Sequence, residues 1–241
     1  MTEDIHEDEY SSRQNVELVY RRLRDAILKG DIPAEVPLSQ VQLSQQFGVS
    51  RTPLREALRL LQREGLIDAE INRRVRVTGL SISDLEQIYA SRITLEALAV
   101  RLTVPKLTDE ELSQLEAYVE GIETYSKSAD YERWLVPHRA FHSGIIAHAG
   151  DRISAQIQQL FDHAERYRRV YTLETPGAWT AGVEEHRSIL EACLERDAGA
   201  AAERLIRHYT HVALAVIARI APEYEPTVVR TALRMMIHSS K

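Results

Sequence analysis

The chain has 241 residues, 44% of them hydrophobic, and a formal net charge of −6. This length allows one or two domains with a sizeable core, and the long runs of Leu, Ala, Glu and Arg favour helix over sheet. The only cysteine, Cys193, excludes an intrachain disulfide and a zinc site built from cysteines. No apolar run is long enough to span a membrane and the acidic first residues differ from a signal peptide, so we expect a cytoplasmic protein with no membrane partner.

The charge is distributed unevenly along the chain. Residues 13–80 hold 12 Lys and Arg against 8 Asp and Glu, whereas residues 81–241 hold 18 against 23. The remaining negative charge lies in residues 1–12. A nucleic-acid partner is therefore not excluded by the negative total, because the basic charge is concentrated in one segment.

The first part of the chain predicts a tail and two helices. Residues 1–12 are polar and acidic without periodicity, which predicts a disordered tail. A helix is expected from about Asn15 to Lys29, followed by a turn with two prolines. The stretch Ser39-Gln-Val-Gln42 has the pattern of a capping box and opens a second helix.

The N-terminal part of the chain is organised around a third predicted helix, which begins after Ser50 and ends at Gly65. Ser50 is a favourable N-cap, and Pro53 lies in the first turn, where its missing N–H costs nothing. One face is apolar at i, i+3, i+4 and i+7: Leu54, Ala57, Leu58 and Leu61. The other face is a basic stripe of arginines spaced four apart: Arg51, Arg55, Arg59 and Arg63.

Two helices joined by a turn that contains Gly48 are typical of a helix-turn-helix, whose second helix enters the major groove of DNA. The residues at the start of that helix are predicted to bind DNA: Ser50, Arg51, Thr52 and Arg55. The alternative is an ordinary helical hairpin whose arginines form a solvated face. Residues 66–70 and 74–78 alternate in hydrophobicity and predict a two-stranded wing, with Arg73 and Arg74 near a minor-groove phosphate.

Three stretches resemble the GntR superfamily of bacterial transcription regulators: Val19–Gly30, Leu38–Phe47 and Val49-Ser-Arg-Thr-Pro-Leu-Arg-Glu-Ala-Leu58. The resemblance implies a winged helix-turn-helix domain at 13–78 that binds double-stranded operator DNA. It implies direct DNA contacts for Arg51, Thr52 and Arg55. Wings of this family usually carry a glycine near the tip, where this chain has Arg74.

The rest of the chain is helical in pattern, which predicts an all-α domain at 83–241 after a hinge at 79–82. The overall fold class is therefore mainly α. Seven helices are expected, separated by Pro, Gly and Thr turn signals, at about 83–104, 108–126, 129–149, 151–173, 180–195, 198–220 and 226–238.

Four histidines of this second domain could form a metal site. His138 and His142 lie one turn apart on one helix and could share an ion, and His186 and His208 lie on later helices. Taken singly, each histidine is more often a hydrogen-bonded core or surface residue than a ligand.

Residues 83–220 resemble the FCD domain, the effector-binding domain of the FadR-like branch of GntR regulators. The matching stretches are Leu85–Glu96, Ala140–Gly150 and Glu185–Asp197. The resemblance implies a divalent metal held by an Asp-x-x-x-His pair and two more histidines, which correspond here to His142, His186 and His208. His138 replaces the usual Asp, and a site with four nitrogen ligands would suit zinc or nickel. Alternatively, His138 points away and three ligands remain.

The resemblance also implies a small carboxylate as the effector. Arg92 is the candidate partner for this carboxylate, and Tyr89 is a weaker candidate for the same wall. The alternative for Arg92 is an internal ion pair with Glu96, one turn later. The stretch Arg166–Tyr171 could also reach the cavity, but its pattern does not select a residue.

These observations predict a DNA-binding transcription regulator and not an enzyme. A homodimer would fit a pseudo-palindromic operator, and the family resemblance implies a repressor. Two rival hypotheses remain open. One is a metal-dependent hydrolase, for which no general base is evident. The other is a metal-free regulator of the acyl-CoA-binding type, which would leave the histidine set without a role.

Overall fold

The computed structural model describes residues 3–69 and 75–238. It divides into two compact units, Met1–Leu80 and Ser81–Lys241. This division falls within the segment 79–82 that the sequence predicts as a hinge. No helix in the described ranges is both long and apolar enough to cross a membrane.

The N-terminal unit consists of three helices and a small antiparallel sheet. The helices are α1 (Glu3–Lys29), α2 (Gln40–Phe47) and α3 (Arg51–Arg63). Helix α1 begins at Glu3, so the expectation of a disordered tail over residues 1–12 differs from the structure.

The sheet has the strand order β1–β3–β2, with β1 at Pro37–Leu38, β2 at Ile67–Ala69 and β3 at Val75–Val77. Strands β2 and β3 form the predicted wing, with Ile67 opposite Val77. A third strand, β1, which the sequence pattern does not predict, also pairs with β3. This strand has two residues, one of them a proline, so no alternating pattern marks it and only the tertiary pairing defines it. The wing tip, with Arg73 and Arg74, lies outside the described residues.

Helices α2 and α3 form the predicted helix-turn-helix. The Ser39 hydroxyl caps α2 by accepting from the backbone of Gln42, and Gly48 ends it in a left-handed conformation with φ of 65°. The apolar face of α3 is buried as predicted. At the far end of α3, the Glu64 carboxylate accepts from the Tyr20 hydroxyl and pairs with Arg24 at 2.9 Å, which fastens the helix to α1.

Over residues 81–238, the C-terminal unit is a bundle of eight α-helices and one short 3₁₀ turn at Val104–Lys106. The helices are α4 (Ile82–Thr103), α5 (Asp109–Ser128), α6 (Tyr131–Gly144), α7 (Asp151–His163), α8 (Glu165–Glu174), α9 (Ala178–Leu194), α10 (Ala198–Ile220) and α11 (Thr227–His238). The prediction of one helix over 151–173 is wrong, because a turn at Ala164 interrupts the helix and separates α7 from α8. Helical periodicity continues through this residue, so the sequence contains no signal for the break. The mainly α fold class is confirmed.

Helix α4 is the central element of the bundle and packs against α7, α10 and α11. Its side chain Glu86 is 1% exposed and accepts three hydrogen bonds from the start of α11. The donors are the backbone N–H groups of Val228 and Val229, at 3.0 and 3.2 Å, and the Tyr224 hydroxyl, at 2.7 Å. Glu86 therefore caps α11 from another helix and satisfies N–H groups that have no partner within α11.

Replacing Glu86 by Ala should lower the free energy of unfolding by about 2 kcal/mol, because buried N–H donors of α11 lose a charged acceptor. Urea unfolding followed by circular dichroism would measure the loss. The control is Glu116→Ala, which removes an exposed carboxylate of α5 and should change stability by less than about 0.5 kcal/mol. Equal effects of the two substitutions would contradict the capping role.

Candidate nucleic-acid interface and metal centre

The predicted DNA-binding residues that the structure describes lie together at the start of α3. Ser50, Arg51, Thr52 and Arg55 are all exposed. Within the described part of the chain, neither Arg51 nor Arg55 has an ion-pair partner, whereas Arg59 pairs with Glu56 at 2.5 Å. The two arginines nearest the N-terminus are therefore available to an external anion.

Ser50 is the N-cap residue of α3, but its side chain accepts no capping hydrogen bond, so this part of the sequence prediction is wrong. The reason is the proline at the third position of the helix. Pro53 occupies N3, where the N–H that a capping hydroxyl commonly binds is missing. The Ser50 hydroxyl and the first backbone N–H groups of α3 therefore remain without partners from capping, at the positive end of the helix dipole.

The four predicted metal-site histidines meet in the interior of the C-terminal unit. His138 and His142 come from α6, His186 from α9 and His208 from α10, and all four are buried. One ring nitrogen of each lies within 4.8 Å of the corresponding nitrogens of the others. The cluster therefore has the composition and compactness that a metal ion requires.

Hydrogen bonds to the outer nitrogens determine the tautomers of three of these rings. Nδ1 of His186 donates to the carbonyl of Gly182, and Nδ1 of His208 donates to the Glu185 carboxylate at 2.6 Å. The Tyr209 hydroxyl donates to Glu96 at 2.5 Å, so it accepts from Nδ1 of His142 at 2.9 Å. Each ring thus has its proton on Nδ1 and a lone pair on Nε2, the arrangement typical of metal-binding histidines.

The lone pairs of two of these rings face each other. Nε2 of His142 and Nε2 of His186 are 3.1 Å apart, and the outer hydrogen bonds leave neither of them a proton. Two acceptors at this distance repel unless a cation lies close to both. Nδ1 of His138 is also buried and has no hydrogen-bond partner. The chemistry of the donor set therefore fits a divalent ion.

Burial keeps the imidazoles of His138, His142 and His186 neutral. Desolvation, followed by the charges of neighbouring histidines, holds the pKa of His138 and of His142 well below the usual 6.5. Desolvation also lowers the pKa of His186 to about 3. Burial would raise the pKa of Glu185, but hydrogen bonds and charge interactions with His208 and His211 outweigh it and lower that pKa to about 2. Neutral imidazoles are the form that binds metals.

A cavity adjoins the histidine cluster, with about 420 Å³ of empty volume that is partly open to solvent. Both predicted effector residues, Arg92 and Tyr89, line it together with His138, His186 and His208. Arg92 is 2% exposed, and its Nε binds Glu96 at 2.8 Å, while its Nη2 has no partner. Arg92 therefore forms the internal ion pair and also lines the cavity, and its role as the partner of an effector carboxylate stays a prediction.

Several residues of this site could not be selected from the sequence. Arg168 and Tyr171 of α8, the aromatic rings of Trp134 and Trp179, and Tyr209 all line the cavity. The stretch Arg166–Tyr171 was a candidate without a chosen residue, and its buried face became defined only when α8 packed against the bundle. Tyr209 follows His208 directly, but no sequence pattern links it to His142, 67 residues earlier.

The chain matches two family models. The model of the gntR family of bacterial regulatory proteins matches residues 15–77, and that of the FCD domain matches residues 87–211. YdhC of Bacillus subtilis, an uncharacterized HTH-type transcriptional regulator, is 29% identical over 196 residues, which are 80% of this chain and 86% of the relative. The HTH-type transcriptional repressor GlaR of Escherichia coli is 29% identical over 203 residues, 78% of this chain and 90% of its own.

Solved structures with the same fold include McbR/YncC of Escherichia coli, with a TM-score of 0.69 and 20% identity, covering 94% of this chain and 99% of its own. A GntR regulator from Rhodococcus sp. RHA1 has a TM-score of 0.72 and 21% identity, covering 88% and 100%. These likenesses concern the fold alone. Together, the domain order and the two family matches show that the chain is a transcriptional regulator of the GntR family with a C-terminal FCD domain.

Proposed function

We propose that this chain is a homodimeric repressor in the cytoplasm that binds a pseudo-palindromic operator and responds to a small organic acid bound at a metal ion. The family supports regulation by DNA binding, and the relative GlaR is named as a repressor. A dimer would place two copies of α3 in successive major grooves, about 34 Å apart. The observation that carries the DNA-binding half is the pair of exposed, unpaired arginines at the start of α3.

In the proposed complex, the start of α3 carries both kinds of DNA contact. Arg51 and Arg55 would read base edges or hold phosphates, and Thr52 and Ser50 would donate from their hydroxyls. The free N–H groups left by the missing Ser50 cap favour a phosphate at the helix start. Arg73 and Arg74 remain predicted minor-groove contacts of the wing tip.

The metal is proposed to be zinc, with nickel as the alternative, because nitrogen ligands disfavour magnesium and calcium. His142, His186 and His208 would bind it through Nε2, and His138 would be the fourth ligand through its unpartnered nitrogen. The observation that carries this proposal is the pair of opposed Nε2 atoms, 3.1 Å apart, without a proton for either. Such an ion supplies Lewis acidity, which here would anchor a carboxylate.

The effector is proposed to be a carboxylate that binds beside the metal in the cavity. Arg92 would donate from its unpartnered Nη2 to the carboxylate, and Tyr89 would form part of the wall. Arg92 is a strong candidate because its charge is retained on burial, with the Glu96 carboxylate beside it.

Helix α8 offers a route from the cavity to the start of the C-terminal unit. Arg168 of this helix lines the cavity. The next residue toward the N-terminus, Tyr167, accepts from the backbone N–H of Ser81 at 3.1 Å, and its hydroxyl lies 2.9 Å from the Asp84 carboxylate. We propose that ligand binding displaces α8 and so biases the segment 79–82, which requires different affinities of the ligand for the two arrangements.

The hydrolase hypothesis is set aside because the matching families consist of transcription regulators. The metal-free alternative of an acyl-CoA-type ligand would leave the opposed imidazoles without a cation. Metal analysis of the purified protein distinguishes this alternative from the proposal.

Arg51→Ala and Arg55→Ala should each weaken binding to a duplex that the protein selects from a random library, by about 1–3 kcal/mol. Fluorescence anisotropy at constant salt would measure the affinities. The matched control is Arg63→Ala, which removes the same charge from the exposed far end of α3 and should cost much less. An equal loss for all three variants would mean that only net charge matters.

The metal-free protein should lose stability as the pH falls from 7 to 5.5. Below pH 6.5 the unfolded chain binds protons at His138, His142 and His186 that the folded chain does not, because their folded pKa values are lowered. Each of these imidazoles then costs the folded state about 1.4 kcal/mol per pH unit, a loss that continues until the pH reaches the folded pKa. Urea unfolding in chelator measures the slope, and His186→Gln should reduce it. A flat profile would contradict neutral burial.

Zinc-loaded protein should be stabilised by small monocarboxylates such as acetate, propionate or butyrate, and chelator should abolish the effect. At a concentration 100 times the dissociation constant, a ligand raises the unfolding free energy by about 2.7 kcal/mol, which shifts Tm by several degrees. His186→Gln should remove the response, while His148→Gln, outside the cluster, should keep it. Stabilisation that persists in chelator would argue for a metal-free site.

A further inference from the structure

The cavity beside the histidines contains an unusual concentration of unsatisfied polar atoms. In the part of the chain that the structure describes, eight buried polar side-chain atoms have no hydrogen-bond partner. Five of them belong to residues that line this one cavity: His138 Nδ1, Arg92 Nη2, Arg168 Nε, Arg168 Nη1 and Tyr171 Oη. Buried polar groups are normally satisfied, so this concentration points to a missing ligand.

Arg168 contributes two of these atoms and belongs to no role described so far. It is 4% exposed, and its Nη2 forms an ion pair with Glu165, which also accepts from the Tyr131 hydroxyl at 2.7 Å. The face of its guanidinium lies 4.1 Å from the centre of the Phe161 ring. Neither the ion pair nor the ring uses Nε and Nη1, so a purely structural role would leave two buried donors unsatisfied.

Arg92 and Arg168 provide two separate donor positions in the same cavity. Arg92 lies 4.0 Å from the ring of Tyr209, which binds the ligand candidate His142, so it belongs to the metal end. Arg168 lies on α8 one turn before Tyr171, whose hydroxyl is also unpartnered. Both guanidinium groups lie over the Phe161 ring, at 5.3 and 4.1 Å, which limits the distance between their central carbons to about 9 Å. A small molecule can span this distance.

The charges around the cavity favour an anion with more than one negative group. Arg92 and Arg168 each have one carboxylate partner, so these two pairs are neutral overall. The four candidate ligands are all imidazoles, so a divalent ion bound by them would have no anionic ligand from the protein. The Glu185 carboxylate binds Nδ1 of His208 and Nδ1 of His211. It would therefore offset the charge of the ion without being one of its ligands.

We propose that the effector carries two acidic groups, the first at the metal and Arg92 and the second held by Arg168 and the Tyr171 hydroxyl. This inference rests on the proposed function, because it takes the metal-anchored carboxylate as its first group. The second group is a carboxylate or another small anion that accepts several N–H and O–H donors. The cavity is also lined by the apolar side chains of Trp134, Trp179 and Val212, which fit a short carbon chain.

The test compares dicarboxylates with monocarboxylates on the zinc-loaded full-length chain by isothermal titration calorimetry. The probes are malonate, succinate, glutarate and adipate, against acetate, propionate, butyrate and valerate. At least one dicarboxylate should bind ten or more times more tightly than every monocarboxylate. If all the acids bind with similar affinity in a metal-dependent manner, the inference is overturned and the proposed function stands. If no acid binds and no metal is retained, both are overturned.

The double variant Arg168→Met with Glu165→Gln tests the second position without leaving a buried charge unpaired. It should keep the zinc content and the monocarboxylate affinity within about twofold and lose the preference for dicarboxylates. The matched control is Arg169→Met with Glu132→Gln, which removes the ion pair between the next residue of α8 and α6 and should keep the preference. A preference that survives in the Arg168 double variant overturns the assignment.

Tyr171→Phe provides a second measurement in case the double variant does not fold. Because the Tyr171 hydroxyl has no partner in the protein, its removal leaves no buried group unsatisfied. This variant should reduce the dicarboxylate preference about three- to tenfold while monocarboxylate binding is unchanged. An unchanged preference in Tyr171→Phe would exclude the hydroxyl from the second position and overturn the proposal as stated.

Discussion

The C-terminal unit depends on one electrostatic constraint, the convergence of imidazole lone pairs in a buried space. Nε2 of His142 and Nε2 of His186 are held 3.1 Å apart by hydrogen bonds that the outer nitrogens of the two rings donate to the Tyr209 hydroxyl and to the Gly182 carbonyl. A bundle that buries such an arrangement is under repulsion until a cation is bound. Metal binding would therefore contribute directly to the stability of the fold as well as to ligand recognition.

A network of hydrogen bonds extends outward from the histidines. Tyr209 joins His142 to Glu96, and Glu96 joins Tyr209 to Arg92, so one chain of hydrogen bonds runs from the cluster to the cavity wall. Every group in this chain is oriented by the next one. Donors that remain free, such as Nη2 of Arg92, are thus held in position before a ligand arrives, which reduces the entropy lost on binding. Unsatisfied polar groups concentrated in one cavity are typical of functional sites. Such sites lower the stability of the protein, and the rest of the fold compensates for the loss.

Local sequence signals were sufficient to predict the helix-turn-helix, and they were insufficient to predict parts of the C-terminal helical bundle. The arginine stripe, the apolar face of α3 and the turn at Gly48 all depend on residues within about 20 positions of one another, and the structure agrees with these predictions. Pro53 shows the limit even here, since its missing N–H removes the Ser50 cap that the pattern suggests. The break at Ala164 and the strand β1 have no local signal, because packing and strand pairing with distant residues determine them.

The sequence by itself determined the fold class, the helix-turn-helix and the identity of four histidines, because periodicity, capping and residue spacing are encoded over short distances. Only the tertiary structure decided that these histidines share one space and which nitrogens of His142 and His208 carry protons, since their partners Tyr209 and Glu185 come from other helices. Arg168 is the clearest case. Its role depends on which face of α8 is buried and on two donors left without partners, and both follow from packing rather than from any pattern along the chain.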